Sequence, residues 1–111
     1  MTAYEGNVGD WALGRWEGYL YANYGNTAMS SDPRIMIIQR LANGKVGCRW
    51  ATPADLPKVG WAPRCRIGAT SISLLTTADS EVDLDKAGDE LEGRMRSKNS
   101  RRYRAHLKRV Q

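Results

Sequence analysis

Apolar and polar residues alternate in short segments along most of this chain, and this period of two restricts the folds open to it. Val46, Cys48 and Trp50 stand at alternate positions of one segment, as do Leu91 and Met95 of another. Such alternation is typical of a strand with one buried face. About eight such segments are separated by turn signals every ~8–12 residues, the spacing of an all-β sandwich or barrel. At 111 residues the chain is sized for one domain.

The last third of the chain is the ambiguous part of this pattern. Leu91 and Met95 fit the alternation of a strand, but they also fit the spacing of a helix. Gly88 and Gly93 lower helix propensity, so strands are the preferred interpretation. We therefore predict a small antiparallel up-and-down barrel of about eight strands. A flexible N-terminal arm is expected at residues 1–12 and a single barrel domain at residues 13–111.

Two turn signals predict how neighbouring strands pair. Asn43-Gly44 lies between two apolar segments and predicts a type I′ hairpin turn, in which both central residues take positive φ. A second two-residue turn at Ala87-Gly88 would place Glu81 opposite Arg94.

The two cysteines, Cys48 and Cys65, lie at the two ends of a proline-rich stretch. A bridge between them would close that stretch as a loop and contribute about 3 kcal/mol through loop-closure entropy. We expect this disulfide and, with it, an oxidising compartment, periplasmic or secreted. Two free thiols in a cytosolic core are the alternative. The first eleven residues lack the basic and apolar regions of a signal peptide, so we expect such a leader to be absent from this sequence.

Basic residues concentrate at the C-terminal end. Residues 1–93 hold all 12 acidic residues and nine Lys and Arg, for a net charge of −3, whereas residues 94–111 hold eight Lys and Arg and no acid, for +8. A hairpin loop at residues 98–100 would place two arginine pairs directly opposite each other across the strands, Arg94 with Arg104 and Arg96 with Arg102. The same loop would place Glu90 opposite Lys108 and Glu92 opposite His106. This end indicates either a patch for an acidic protein or another anionic surface, or a solvated outer face paired with acidic neighbours.

Catalytic, metal and cofactor sites find no support in the sequence. His106 is the only histidine and lies in the outward phase of a terminal segment, so a Ser-His-Asp triad is not expected. The spacing of cysteine and histidine does not match a zinc site. Tyr103 is the only aromatic residue in the basic region, which disfavours specific nucleic-acid binding. No apolar run reaches the ~20 residues of a membrane-spanning helix. We expect no enzyme activity, cofactor, metal or membrane span.

Gly14-Arg15-Trp16, which opens the first strand after the arm, resembles the first-strand motif of the lipocalin and calycin barrels. In that superfamily the tryptophan closes one end of the barrel, and a basic residue of the last strand lies over it. The resemblance gives this role to Arg109, or to Lys108. A cation over an indole face gains about 0.5–2 kcal/mol.

The single cysteine pair and the length are similar to those of small members of the superfamily, the bacterial periplasmic inhibitors of serralysin-type metalloproteases. The stretch Val59-Gly60-Trp61-Ala62-Pro63, which leads into residues 72–80, resembles their proline-rich loop ending in Gly-Trp, followed by an alternating strand and an acidic turn. The chain departs from them at Cys65, which follows Trp61, whereas both of their cysteines precede the Gly-Trp. Their inhibitory N-terminal segment has no clear counterpart in residues 1–4. The resemblance therefore implies a barrel, and a shared fold does not carry function.

A barrel of this size is expected to be filled by its own side chains, so that a partner binds outside. The expected interior residues are Trp16, Ile37, Trp50, Leu74, Leu84, Leu91 and Met95. We predict a non-enzymatic, exported protein-binding module, whose aromatic and arginine contacts are Tyr19, Tyr21, Tyr24, Trp61, Arg94, Arg96, Arg102 and Arg104. Two alternatives are a periplasmic protease inhibitor acting through residues 1–11 and a structural subunit of a larger assembly.

Overall fold

The computed structural model describes residues 8–22 and 30–110, and within these ranges the chain forms eight β-strands and two short 3-10 helices. The strands are β1 (Gly14–Ala22), β2 (Ser30–Arg40), β3 (Val46–Ala51), β4 (Arg64–Ile67), β5 (Ser71–Leu75), β6 (Glu81–Ala87), β7 (Glu90–Arg96) and β8 (Arg102–Val110). The helices span Val8–Ala12 and Leu56–Lys58. The all-β prediction is confirmed, and the ambiguous last third consists of strands.

All eight strands belong to one antiparallel sheet with the order β3-β2-β1-β8-β7-β6-β5-β4. The first strand pairs with the last, so that Trp16 lies opposite Arg109 and Tyr21 opposite Arg104. β3 and β4 are the two edge strands of this sheet. They approach each other in the curved sheet, which is therefore a nearly closed up-and-down barrel. The predicted barrel is therefore confirmed.

The seam between β3 and β4 is held by the predicted disulfide. Cys48 of β3 is bonded to Cys65 of β4, their Cα atoms are 5.7 Å apart, and Cys48 is fully buried. The Ala62 N–H donates a hydrogen bond of 2.7 Å to the Cys48 carbonyl oxygen close by. In the part of the chain that the structure describes, no strand ladder joins β3 to β4. A covalent bond therefore takes the place of the ladder at this seam.

Inward-facing side chains from all eight strands fill the barrel. Trp16 and Trp50 are only 2% and 7% exposed. The largest fully buried side chains are those of Leu20, Met36, Ile38, Ile72, Leu74, Leu84, Leu91, Leu107, Val82 and Cys48. The apolar residues of the alternating segments thus face inward and fill the barrel.

One predicted interior residue is wrong. Ile37 is half-buried and packs with Ile35 in a separate cluster that includes Leu56 and Val59. These two partners belong to the segment between β3 and β4, which therefore covers the outer surface of β2. Residues 35–38 are all apolar, so the period of two does not reveal which alternate pair faces inward.

The hairpin between β2 and β3 lies where Asn43-Gly44 predicts it, but its turn is not type I′. Gly44 has a φ of 84°, whereas Asn43 has no positive φ. The Gly44 N–H donates to the Leu41 carbonyl at 2.9 Å, and the Leu41 N–H donates to the Lys45 carbonyl at 2.7 Å. This is a three-residue loop whose last residue is left-handed, so only one position requires glycine.

The turn between β6 and β7 is Gly88-Asp89, one residue later than predicted. Gly88 has a φ of 64°, which suits glycine in the first position of a two-residue turn. Moving the turn by one residue shifts the pairing by two, so Glu81 lies opposite Arg96 and not opposite Arg94. Because the shift is even, every side chain keeps its face of the sheet.

The first helix closes one end of the barrel. The Trp16 indole N–H donates to the Ala12 carbonyl at 2.9 Å. The Arg109 guanidinium lies 4.3 Å from the centroid of the Trp16 ring and donates to the carbonyls of Leu13 and Trp11. Of the two basic residues that the resemblance offers for this position, the structure places this one over the ring. Trp11 and Ala12, which belong to the predicted arm, thus pack against the barrel core, and residues 1–7 lie outside the described residues.

Candidate interaction surface

The outward-facing residues of β6, β7 and β8 form a continuous charged surface. Strand register decides which charges lie side by side on it. The β7–β8 register predicted from the loop at residues 98–100 is confirmed, with Arg94 opposite Arg104 and Arg96 opposite Arg102. We call this surface the charged face; it consists of Glu81, Asp83, Asp85, Glu90, Glu92, Arg94, Arg96, Arg102, Arg104, His106 and Lys108.

Three arginines make up the basic half of the charged face: Arg94, Arg102 and Arg104. All three are exposed, and within the described residues none of them forms an ion pair. Arg96 differs, because its Nη2 lies 2.6 Å from the Glu81 carboxylate. Like charges directly opposite each other destabilise an antiparallel pair. Asp83 lies directly opposite Arg94 without forming an ion pair with it, whereas Arg102 and Arg104 have no carboxylate opposite them in the described strand pairs.

Three carboxylates make up the acidic half of the charged face: Asp83, Asp85 and Glu92. They are exposed, and across residues 8–22 and 30–110 they have no ion-pair partner. Asp85 lies directly opposite Glu92, which repeats the like-charge arrangement with the other sign. Glu90 is compensated, because one of its oxygens contacts His106 Nε2 and the other lies 3.9 Å from Lys108 Nζ.

Two tyrosines of β1 border the charged face. Tyr21 lies opposite Arg104 and Tyr19 opposite His106, and the two rings are 6.3 Å apart. Tyr19 is 48% exposed, whereas Tyr21 is half-buried. Tyr24 lies outside the described residues. An open groove of ≈ 950 Å³ crosses this region, with walls that include Tyr21, Asp85, Glu92, Arg94, Arg102 and Arg104.

Trp61 is not part of this surface. Its ring packs against Gly47 of β3 and lies 5.3 Å from the Arg49 guanidinium, and the residue is 43% exposed. Strands β2 and β1 stand between β3 and β8 in the sheet. The structure therefore brings the two tyrosines and the four arginines together but leaves Trp61 on a separate surface.

The charged face can bind and orient charged groups. Guanidinium groups offer paired N–H donors that match a carboxylate. In the described ranges, no three His, Cys, Asp or Glu side chains are grouped so as to hold a metal ion. The same ranges contain no helix with the length and apolar character required to cross a membrane.

Comparison with protein-family models, with curated proteins and with solved structures found no match to this chain. Function is therefore inferred from the barrel and from its charged face.

Proposed function

We propose that this chain is a non-enzymatic protein-binding module that contacts carboxylates of a partner protein through the arginines of the charged face. The observation that carries the proposal is the basic half, in which Arg94, Arg102 and Arg104 are exposed and form no ion pair with a carboxylate among residues 8–22 and 30–110. Arginine and tyrosine are enriched where proteins bind one another. Tyr19 and Tyr21 add aromatic area at the border of these charges.

The packing of the interior supports binding on the outside. Leu20, Leu74, Leu91 and Leu107 are at most 1% exposed, and their side chains fill the space that a ligand would need. Barrels of about eight strands are commonly just wide enough to be filled in this way.

The distribution of charge favours a protein partner over a nucleic acid. Single-stranded nucleic acids stack their bases on aromatic rings set among cations. Tyr103 packs against the barrel core, and Tyr19 and Tyr21 lie at the border of the arginines on β1 and not between them. The acidic half would also repel a continuous phosphate backbone, whereas a protein can present separate charges of either sign.

The disulfide supports an oxidising compartment. Disulfides persist in secreted and periplasmic proteins and are rare in the cytosol. Export to the periplasm or beyond is therefore part of the proposal. The Trp16–Arg109 contact at the barrel end supports a lipocalin-like relationship, which is also part of the proposal.

A binding assay with poly-L-glutamate tests the proposal, with R102S/R104S as the variant. Two exposed ion pairs contribute about 0.4–2 kcal/mol together, which corresponds to a loss of about 2- to 30-fold in affinity. The matched control is K58S/R66S, which removes the same charge from exposed positions outside the charged face. We expect the control to bind as the wild type does. Equal losses in both variants, or none in either, would contradict the proposal.

A further inference from the structure

We infer that the partner of the charged face is a second copy of this chain. The two copies bind face to face about a two-fold axis, and the acidic half of each covers the basic half of the other. This inference rests on the proposed function, because it names the protein that the face binds.

The two halves of the charged face balance each other. Within the described residues each half has three exposed charges without an ion pair. Each half also contains a pair of like charges directly opposite one another, Asp85 with Glu92 and Arg94 with Arg104. An acidic partner would relieve the repulsion in the basic half alone and add repulsion beside the acidic half. A second copy supplies the opposite charge to both halves at once.

The strand registers give this complementarity a specific geometry. Neighbouring strands are about 4.8 Å apart, and alternate residues of one strand are about 6.8 Å apart. On this grid the acidic half lies on β6 and β7, and the basic half lies on β7 and β8, closer to the β7–β8 loop. The line that joins the centres of the two halves therefore runs diagonally across β7. A two-fold axis in the plane of the interface, perpendicular to that displacement, sets each carboxylate of one copy over or next to a guanidinium of the other. The three pairs, each formed twice, are Glu92 with Arg104, Asp85 with Arg102 and Asp83 with Arg94.

The same operation suits the packing of two sheets. It makes the strands of the two copies cross at about 90°, one of the two angles at which sheets pack face to face. The groove of ≈ 950 Å³ extends over both halves of the charged face. The interface therefore includes the concave part of the surface.

Charge reversal tests this inference. D85K/E92K makes the unpaired charge of the face predominantly basic, with Asp83 as its one remaining acid, and R102E/R104E makes it predominantly acidic, with Arg94 as its one remaining base. We expect sedimentation equilibrium to show a wild-type dimer at low salt and monomers for each variant alone. An equimolar mixture of the two variants should restore a dimer, because the basic face of one then meets the acidic face of the other. Between about 0.01 M and about 1 M salt the wild-type dissociation constant should rise at least about tenfold.

Two control variants carry the same changes in net charge outside the face. D32K/D55K matches the first variant and K58E/R66E matches the second, and all four positions are exposed. Both controls should dimerise as the wild type does. Far-UV circular dichroism and a thermal melt establish that each variant retains the fold before its mass is measured.

The outcomes separate this inference from the proposed function. A wild type that stays monomeric while binding poly-L-glutamate overturns the second copy as partner and leaves an acidic partner in place. A monomer that does not bind poly-L-glutamate overturns both. Dimers that persist in both reversed variants place the interface elsewhere and also overturn the inference.

Discussion

Removal of the Cys48–Cys65 bond tests whether a covalent bond replaces the missing ladder at the seam. We expect C48A/C65A to form the same barrel with lower stability. The bond closes a loop with a sequence separation of 17, which is worth about 3 kcal/mol in the chain-entropy treatment. The unfolding entropy of proteins is about 2.1 cal/mol/K per residue, so for 111 residues this loss lowers Tm by about 13 °C.

Thermal unfolding should be followed for the wild type, for the wild type kept reduced by a phosphine, and for C48A/C65A. Reduction leaves both sulfur atoms in place, whereas the variant also removes the fully buried Cys48 sulfur. The variant should therefore be the least stable of the three and should not respond to the phosphine. A stability loss below about 1 kcal/mol in both the reduced protein and the variant would refute this reasoning about the seam.

Two further substitutions test the packing of the barrel. Gly93→Ala would place a Cβ 1.9 Å from a carbonyl oxygen of β6, so urea unfolding should show a loss of about 1–3 kcal/mol or more, whereas Gly60→Ala meets nothing within 4 Å and should leave stability unchanged. Arg109→Gln removes the cation over Trp16 and should cost about 1–3 kcal/mol by the same measurement. Lys108→Gln is its control on the neighbouring, exposed position, and an equal loss there would contradict the role of the indole contact.

Local sequence signals were sufficient for much of the fold. The alternation of apolar residues on one face with polar residues on the other predicts the strands. The position of the β7–β8 loop predicts the pairing of Arg94 with Arg104. The same signals did not predict which residues are buried by contacts with segments distant in sequence. Ile37 belongs to an unbroken apolar run, and its burial depends on a distant segment that carries Leu56.

Only the basic half of the candidate surface was predictable from the sequence. The basic half follows from the composition of residues 94–111 and from one loop. The acidic half depends on the β6–β7 register, and a one-residue difference in the turn at Gly88 changes which arginine faces Glu81, Arg94 in the predicted register or Arg96 in the structure. The separation of Trp61 from the arginines follows from strand order, which the sequence pattern does not contain.

Mapping the contact by nuclear magnetic resonance tests the location of the binding surface most directly. Poly-L-glutamate is added to the ¹⁵N-labelled protein, and amide and indole shifts are followed. We expect the largest changes at Arg94, Arg102, Arg104 and Tyr21, with the Trp61 indole signal unmoved. Changes centred on Trp61, with the β7 and β8 amides unmoved, would contradict the assignment of the charged face as the binding surface.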